Sequence, residues 1–441
     1  MESEKVPNKR SPTDHPHDNI AVLWHSLSER NRKGWRRYVL NFTPSWFSVN
    51  MGTGVVSILL HNLPYNGRWL YWISVLIFAL NVFLFCVFTV VSFLRYTLFK
   101  GLWACLIRHP VQSLFLGGIV RQYLECVTDI LKGTFPMGLT TIVNMMIYVC
   151  VPVWGSWACI LAWALWWIAS ALAIATNMIL PFLIMYQHES KISTMTAVWL
   201  LPIVATIVAA ASGSVVASAL ENEQYALWTV LTSYILWGTG VPLAMFTMVM
   251  YFQRLTLYAL PPRETIVSVF LPLGPLGQGA FGIMQLGLDS QKLFSQTHTL
   301  PNVASAGDMF YINGFFVGLI MWGFGLVWLF FAMASITRTK FPFNLGAWGF
   351  IFPLGVYASA TVTISKELPS AFFKVLGTVF SLTVVLLWLA VSVWTVVKSC
   401  SGDLFYAPCL ADWERLEVEK SFKNREEGKE IVRTDAASQT S

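Results

Sequence analysis

The sequence has little charge, and its long apolar runs hold almost none of it. Of 441 residues, 12% are Asp, Glu, Lys or Arg and 56% are hydrophobic. A soluble domain carries roughly 25% charged residues, so the composition excludes a water-soluble globular protein and points to a polytopic membrane protein. No Asp, Glu, Lys or Arg is expected deep in any span; Glu189, Glu221, Asp308 and Lys366 fall at span ends. That scarcity argues against tight proton or sodium coupling, which commonly uses an intramembrane carboxylate. The seven histidines are scattered, with no H-E-x-x-H and no His–Asp setting for a nucleophilic serine, which weighs against an enzyme. The seven cysteines form neither a disulfide framework nor a zinc-type spacing. No cofactor or metal is called for. The net charge of +6 sits in the ends and loops, where it reports orientation and not a nucleic-acid partner. The first forty residues are polar, so no cleavable signal peptide is expected.

What is present is an all-α pattern. Apolar runs at about 43–60, 70–94, 136–153, 157–185, 197–219, 225–251, 266–287, 312–334, 345–364 and 372–397 give ten expected spans. Residues 1–34 are expected to be a disordered cytosolic tail, 35–398 the transporter domain, and 399–441 a charged cytosolic tail. One side carries Arg30, Arg32, Lys33, Arg36, Arg37, Arg95, Lys100, Arg108, Lys191, Arg254, Arg263, Arg338, Lys340 and Lys398. The other carries only Arg68, Lys292, Lys366 and Lys374. The positive-inside rule therefore puts both termini in the cytosol and the 288–311 loop outside. Between spans two and three, residues 119–132 alternate as one face of an amphipathic helix lying on the cytosolic surface.

The organising stretch is Trp348-Gly349-Phe350-Ile351-Phe352-Pro353-Leu354-Gly355. Pro353 lacks an N–H, so a helix break is expected there, tolerated where the freed carbonyl faces protein or a water-filled cavity. Phe352 sits at the break as an aromatic plug. Related words open the other odd-numbered spans: Phe42-Thr43-Pro44, Phe135-Pro136-Met137-Gly138, Leu201-Pro202-Ile203 and Leu271-Pro272-Leu273-Gly274. Each proline interval equals one out-and-back hairpin. The odd spans also carry the uncharged polar residues: Asn50, Thr53 and Ser57, then Thr141 (or Thr140) and Asn144, then Ser214, then Gln278 and Gln285, then Ser359 and Thr363. Such groups inside hydrocarbon need a partner or water. The economical arrangement is five parallel helical-hairpin repeats around a central pore, with the odd helices lining it and the even helices against lipid. Such a lumen suits a partly dehydrated anion bound weakly enough to leave. A receptor or scaffold without flux is the different-class alternative.

The words Asn41-Phe42-Thr43-Pro44-Ser45-Trp46-Phe47, Met51-Gly52-Thr53-Gly54, Thr134-Phe135-Pro136-Met137-Gly138 and Phe350-Ile351-Phe352-Pro353-Leu354-Gly355 resemble the tellurite-resistance/dicarboxylate transporter family over about residues 35–400. The first word is nearest to the fungal sulfite-efflux branch, and the Phe-Pro word is shared with slow anion channels and malate permeases. The resemblance implies ten helices and a pore lined by the odd ones, with Phe352 and Pro353 at the gate and Phe135 in the lining. It also implies a plasma-membrane homotrimer with one pore per protomer, exporting sulfite or bisulfite. A malate permease and a nitrate or chloride channel are the alternatives on the same scaffold. One departure stands out: residues 118–133 are an insertion relative to the family pattern.

Overall fold

The computed structural model describes residues 34–99, 134–187, 192–339, 341–402 and 404–405. The insertion with its amphipathic face, and nearly all of both tails, lie outside the described residues. A short helix, Trp35–Leu40, precedes ten longer ones: α1 Phe47–Asn62, α2 Arg68–Leu98, α3 Thr134–Met145, α4 Ser156–Gln187, α5 Leu201–Ala217, α6 Glu223–Tyr258, α7 Leu273–Gln296, α8 Ala306–Thr337, α9 Ile351–Glu367 and α10 Ala371–Cys400. A π turn, Met146–Cys150, and a further turn, Val151–Trp154, prolong α3. Among the described residues nine helices are long and apolar enough to cross a membrane. The expected count was ten; the helix that falls short is α1, with 16 residues.

The odd and even helices separate by burial. The apolar windows containing α3, α5, α7 and α9 are 67 to 100% buried, whereas those of the even helices are 22 to 39% buried. In α1, 12 of the 16 residues are buried. The odd helices pack in succession, α1 on α3, α3 on α5, α5 on α7 and α7 on α9, and α9 returns to α1. Each even helix covers a seam: α2 touches α1 and α3, α4 touches α3 and α5, and so on to α10 on α9 and α1. The outer faces are apolar, with Trp72, Leu76 and Phe83 on α2 and Ile312, Phe316 and Phe330 on α8 exposed. Small residues bring the inner helices close. A methyl group on Gly277 would sit 2.6 Å from the Tyr357 backbone nitrogen, and one on Gly355 would sit 2.8 Å from Val55.

The recurrent prolines do not kink helices. They lie where the α-helices begin, mostly after a 3₁₀ turn. Pro44 opens the turn Pro44–Trp46 ahead of α1, Pro136 is the third residue of α3, and Pro202 the second of α5. Pro272 immediately precedes α7 and Pro353 is the third residue of α9. The first four N–H groups of a helix have no partner within it, so a missing N–H is harmless there. The break expected within the ninth span is thus a junction between the 3₁₀ turn Leu345–Gly349 and α9. True mid-helix prolines occur in outer helices, at Pro181 in α4 and Pro242 in α6.

Candidate functional site

Two cavities lie inside the ring of odd helices, and among the described residues Phe352 alone lines both. The first, about 110 Å³, draws residues from all five inner helices, including Asn62 of α1, Val208 of α5, and Phe281 of α7. Six expected lining residues face it: Thr141, Asn144, Gln278, Gln285, Ser359 and Thr363. The second, about 170 Å³, lies at the helix starts and is mostly apolar, with Met51, Met137, Val204, Val267 and Trp348 among its walls. The Phe352 side chain is 4% exposed.

The chemistry of the first cavity follows from which protons are already engaged. Thr141 donates to the Gly138 carbonyl at 2.8 Å, Ser359 to Gly355 at 3.2 Å and Thr363 to Ser359 at 3.1 Å. The Ser359 and Thr363 hydroxyls therefore present oxygen, not hydrogen, to the lumen, whereas the Thr141 oxygen is turned to α2, where it accepts from Asn81 at 3.3 Å. The Asn144 amide oxygen accepts from Ser212 at 2.6 Å, which leaves its NH₂ group as the donor side. Gln278 has no hydrogen-bond partner among the described residues. Amide N–H groups on apolar walls can solvate an anion without holding it tightly. At the second cavity the starts of five inner helices converge through Ser48, Thr134, Leu201, Gly274 and Gly349, and helix N-termini carry partial positive charge.

Five of the expected lining residues, Asn50, Thr53, Ser57, Phe135 and Ser214, line neither cavity. Asn50 is fully buried and donates to the backbone and side-chain oxygens of Asn81 on α2, at 3.1 and 3.2 Å. Thr53 accepts from the Trp388 indole of α10 at 3.1 Å. The Ser57 hydroxyl of α1 donates to the Ser74 carbonyl of α2, and the Ser74 hydroxyl donates back to the Ser57 carbonyl. Ser214 bonds back to Ala211 of its own helix, and the Phe135 ring packs edge-on against Phe47, 5.3 Å away. An inner helix has an outer neighbour as well as a lumen, and a buried polar group can meet its demand for a partner at either.

A set of residues that the sequence did not reveal makes the seams between layers. Trp166 of α4 donates to Ala209 of α5, Trp237 of α6 to Gly279 of α7, Trp322 of α8 to Thr361 of α9, and Trp388 of α10 to Thr53 of α1. In the remaining seam Asn81 of α2 donates to Thr141 of α3 at 3.3 Å. Every outer helix thus hydrogen-bonds the next inner helix. These tryptophans are buried or half-buried, unlike exposed ones such as Trp69 and Trp157, and an indole N–H away from water usually finds an acceptor; the buried Trp46 and Trp328 find none among the described residues.

Asp289, which the expected spans placed in the outer loop, is a buried carboxylate in the last part of α7. Hydropathy drops at Asp289-Ser290-Gln291-Lys292, so the seventh span was expected to end at 287. Instead α7 continues to Gln296 because Leu293 and Phe294 pack with Ala217, Val230 and Ala306. Asp289 is 3% exposed, and its Oδ2 has no hydrogen-bond partner among the described residues. The expected 288–311 loop shrinks to the segment between Gln296 and Ala306.

The family model described as voltage-dependent anion channel matches residues 41–396. The chain belongs to that family. Among curated relatives, the chain is 49% identical over 386 residues to the sulfite efflux pump SSU1 of Arthroderma benhamiae, covering 87% of this chain and 98% of that protein. It is 50% identical over 376 residues to the SSU1 protein of Arthroderma otae, covering 85% and 95%. A more distant relative is the malic acid transport protein of Schizosaccharomyces pombe, 22% identical over 378 residues, covering 83% and 80%. The family and these relatives are channels and transporters, so membership sets this chain among multi-pass membrane transporters.

Membership also makes the accessibility of the cavity testable by chemistry. With the native cysteines removed, Asn144→Cys and Gln278→Cys are expected to react with a small aqueous thiol reagent and lose flux on modification. Asn50→Cys, which faces α2, and Phe83→Cys, which faces outward, are expected to react at least about ten-fold more slowly, since a buried or lipid-facing thiol rarely reaches its thiolate form. Equal rates at all four positions would remove the assignment of a watery lumen.

Proposed function

We propose that this protein exports sulfite or bisulfite across the plasma membrane through the lumen of the odd-helix ring, by a channel-like mechanism with Phe352 as the gate. The observation that carries the reading is that Phe352 bounds both cavities, so its ring is the partition on the axis of one pathway. The names of the relatives, sulfite efflux pumps at 49 and 50% identity, support the substrate.

In this reading α1 is a tenth span. Its 16 residues rise about 24 Å, and the preceding 3₁₀ turn adds about 6 Å, close to the roughly 30 Å hydrocarbon thickness. The basic-residue asymmetry puts both termini in the cytosol. The second cavity then opens inward and the first outward, with the odd helices parallel. The resemblance adds a homotrimer with one pathway in each protomer. Sulfur dioxide enters a cell uncharged and becomes an anion that cannot recross lipid. An inside-negative potential then favours its exit by about 2.3 kcal/mol per charge per 100 mV, so no coupling ion is required.

Reconstitution into liposomes tests this reading. Sulfite is expected to leave down its electrochemical gradient when potential alone is imposed, faster than malate, nitrate or chloride. Because Asp289 is a buried carboxylate, the driving force needs its own test. Asp289→Asn is expected to leave potential-driven flux within about two-fold, a barrier change below about 0.5 kcal/mol. Uphill sulfite movement driven only by a pH step at zero potential, after subtraction of the sulfur dioxide leak, would contradict the uncoupled mechanism. A malate rate exceeding the sulfite rate would transfer the assignment to a dicarboxylate.

A further inference from the structure

Charge meets the first cavity at one place, and Glu264 lines the second. The first cavity is lined by uncharged residues except at the end of α9, where Lys366 and Glu367 reach it. The same two residues line a wider mouth of about 600 Å³ next to it, together with His61, Asn62, Asn66 and Lys374. Lys366 therefore stands where the narrow cavity meets the mouth.

The two charges are not equivalent. Glu367 accepts a hydrogen bond from the Tyr311 hydroxyl of α8 at 2.7 Å, which draws its carboxylate sideways against the outer layer. The Lys366 side chain is exposed, and the one hydrogen-bond partner it has among the described residues is the neutral amide oxygen of Asn62, at 3.4 Å. Asn66 donates to the His61 carbonyl, fixing the loop that follows α1 beneath the mouth. The surrounding charged and titratable groups are Lys374 on α10, His61 on α1 and Glu367 itself, so the mouth is basic on balance. An ammonium whose one hydrogen bond is a long one to an amide, beside a carboxylate that Tyr311 engages and at the junction of a narrow lumen and a wide mouth, is placed to receive an anion.

We infer that Lys366, with Asn62 beside it, forms an anion subsite at the mouth, a station that takes a small inorganic anion as it passes between the cavity and water. The inference rests on the transport reading and deepens it. Neither an amide-lined lumen nor an aromatic gate distinguishes strongly between a neutral and a charged solute; a fixed ammonium does. Its field is long-ranged at low ionic strength and short-ranged at high, because the Debye length falls from about 30 Å at 0.01 M to about 3 Å at 1 M. A subsite of this kind raises the local anion concentration at the mouth most when anions are scarce.

The test uses the full-length protein in liposomes, with Lys366→Gln, Lys366→Arg and Lys366→Cys, and sulfite and chloride as the probes. At about 10 mM anion, Lys366→Gln is expected to lower conductance about five-fold, with the deficit shrinking to less than about two-fold near 1 M. Lys366→Arg is expected to keep most of the conductance. Lys366→Cys treated with an aminoethyl thiol reagent, which restores a positive charge, is expected to recover the lost conductance. A sulfonatoethyl reagent, which installs a negative charge, is expected to reduce it further. A merely structural lysine would show neither the dependence on salt nor the dependence on the sign of the added charge. Since both reagents act on one already folded protein, a folding defect cannot produce the contrast. Wild-type protein that conducts anions alongside a Lys366→Cys variant indifferent to both reagents would overturn the subsite alone. Wild-type protein that passes no anion would remove the transport reading, and the subsite with it.

Discussion

Phe352→Ala is expected to raise basal anion conductance by on the order of ten-fold or more, with expression and assembly retained. Every 1.4 kcal/mol taken off a barrier is about ten-fold in rate, and an apolar ring across a narrow lumen raises such a barrier by excluding water. Phe352 lines both cavities, of about 110 and 170 Å³, so removal of its ring is expected to join them. The destabilisation should fall below the roughly 3–5 kcal/mol typical of a core phenylalanine. Because Phe352 lies in the first turn of α9, next to the junction with the 3₁₀ turn Leu345–Gly349, rearrangement of that junction is the motion that would carry the ring aside. A core packer would behave oppositely, with lower expression and no added current. Conductance per folded protein, measured on the same preparation, separates the two.

Gly277→Val is expected to be among the most damaging single changes away from the pathway. The α7 and α9 backbones meet at Gly277, where even a methyl group would lie 2.6 Å from the Tyr357 nitrogen and 2.7 Å from its Cα. Backbone atoms cannot step aside as a side-chain tip can, so the two helices must separate. Tyr357 also donates to the Trp322 carbonyl of α8 at 2.8 Å and stacks on that indole, so the displacement would spread into the outer layer. Overpacking of this kind costs about 1–3 kcal/mol or more, and in a closed ring the strain cannot be relieved at a free edge. The expected result is a large fall in folded yield and in melting temperature. Gly323→Ala in α8, where an added methyl meets nothing within 4 Å, serves as the control. It is expected to be neutral or slightly stabilising, because glycine in a helix interior costs roughly 0.5–1 kcal/mol relative to alanine. Equal losses for the two variants would mean that α7 and α9 do not approach as described.

The layering was legible in the sequence because two independent signals coincide on the odd helices. The words around Pro136, Pro202, Pro272 and Pro353 mark them, and so do uncharged polar residues such as Asn144, Gln278 and Ser359. What the prolines do was not legible. Proline is compatible with both a kink and a helix start, and the 3₁₀ turns that decide between them leave no pattern of their own. The direction in which each polar residue faces was equally hidden. Asn50 and Asn144 look alike in sequence, yet one bonds α2 and the other lines the lumen. Nothing local distinguishes them, because the choice depends on which neighbour offers an acceptor, here Asn81 for Asn50. Asp289 was missed for a related reason: hydropathy registers the polar run Asp289–Lys292, while the helix follows Leu286, Leu293 and Phe294 on its packed side.

The measurement that tests the central claim most directly is the sidedness of modification at one position behind the gate. In a background without native cysteines, Gln278→Cys lies in the first cavity, beyond Phe352 from the second. A membrane-impermeant thiol reagent is expected to reach it from the mouth side alone while Phe352 is present, and from both sides once Phe352→Ala is added. Access from both sides in the presence of Phe352, or access from the mouth side alone in its absence, would contradict a single pathway divided by this ring.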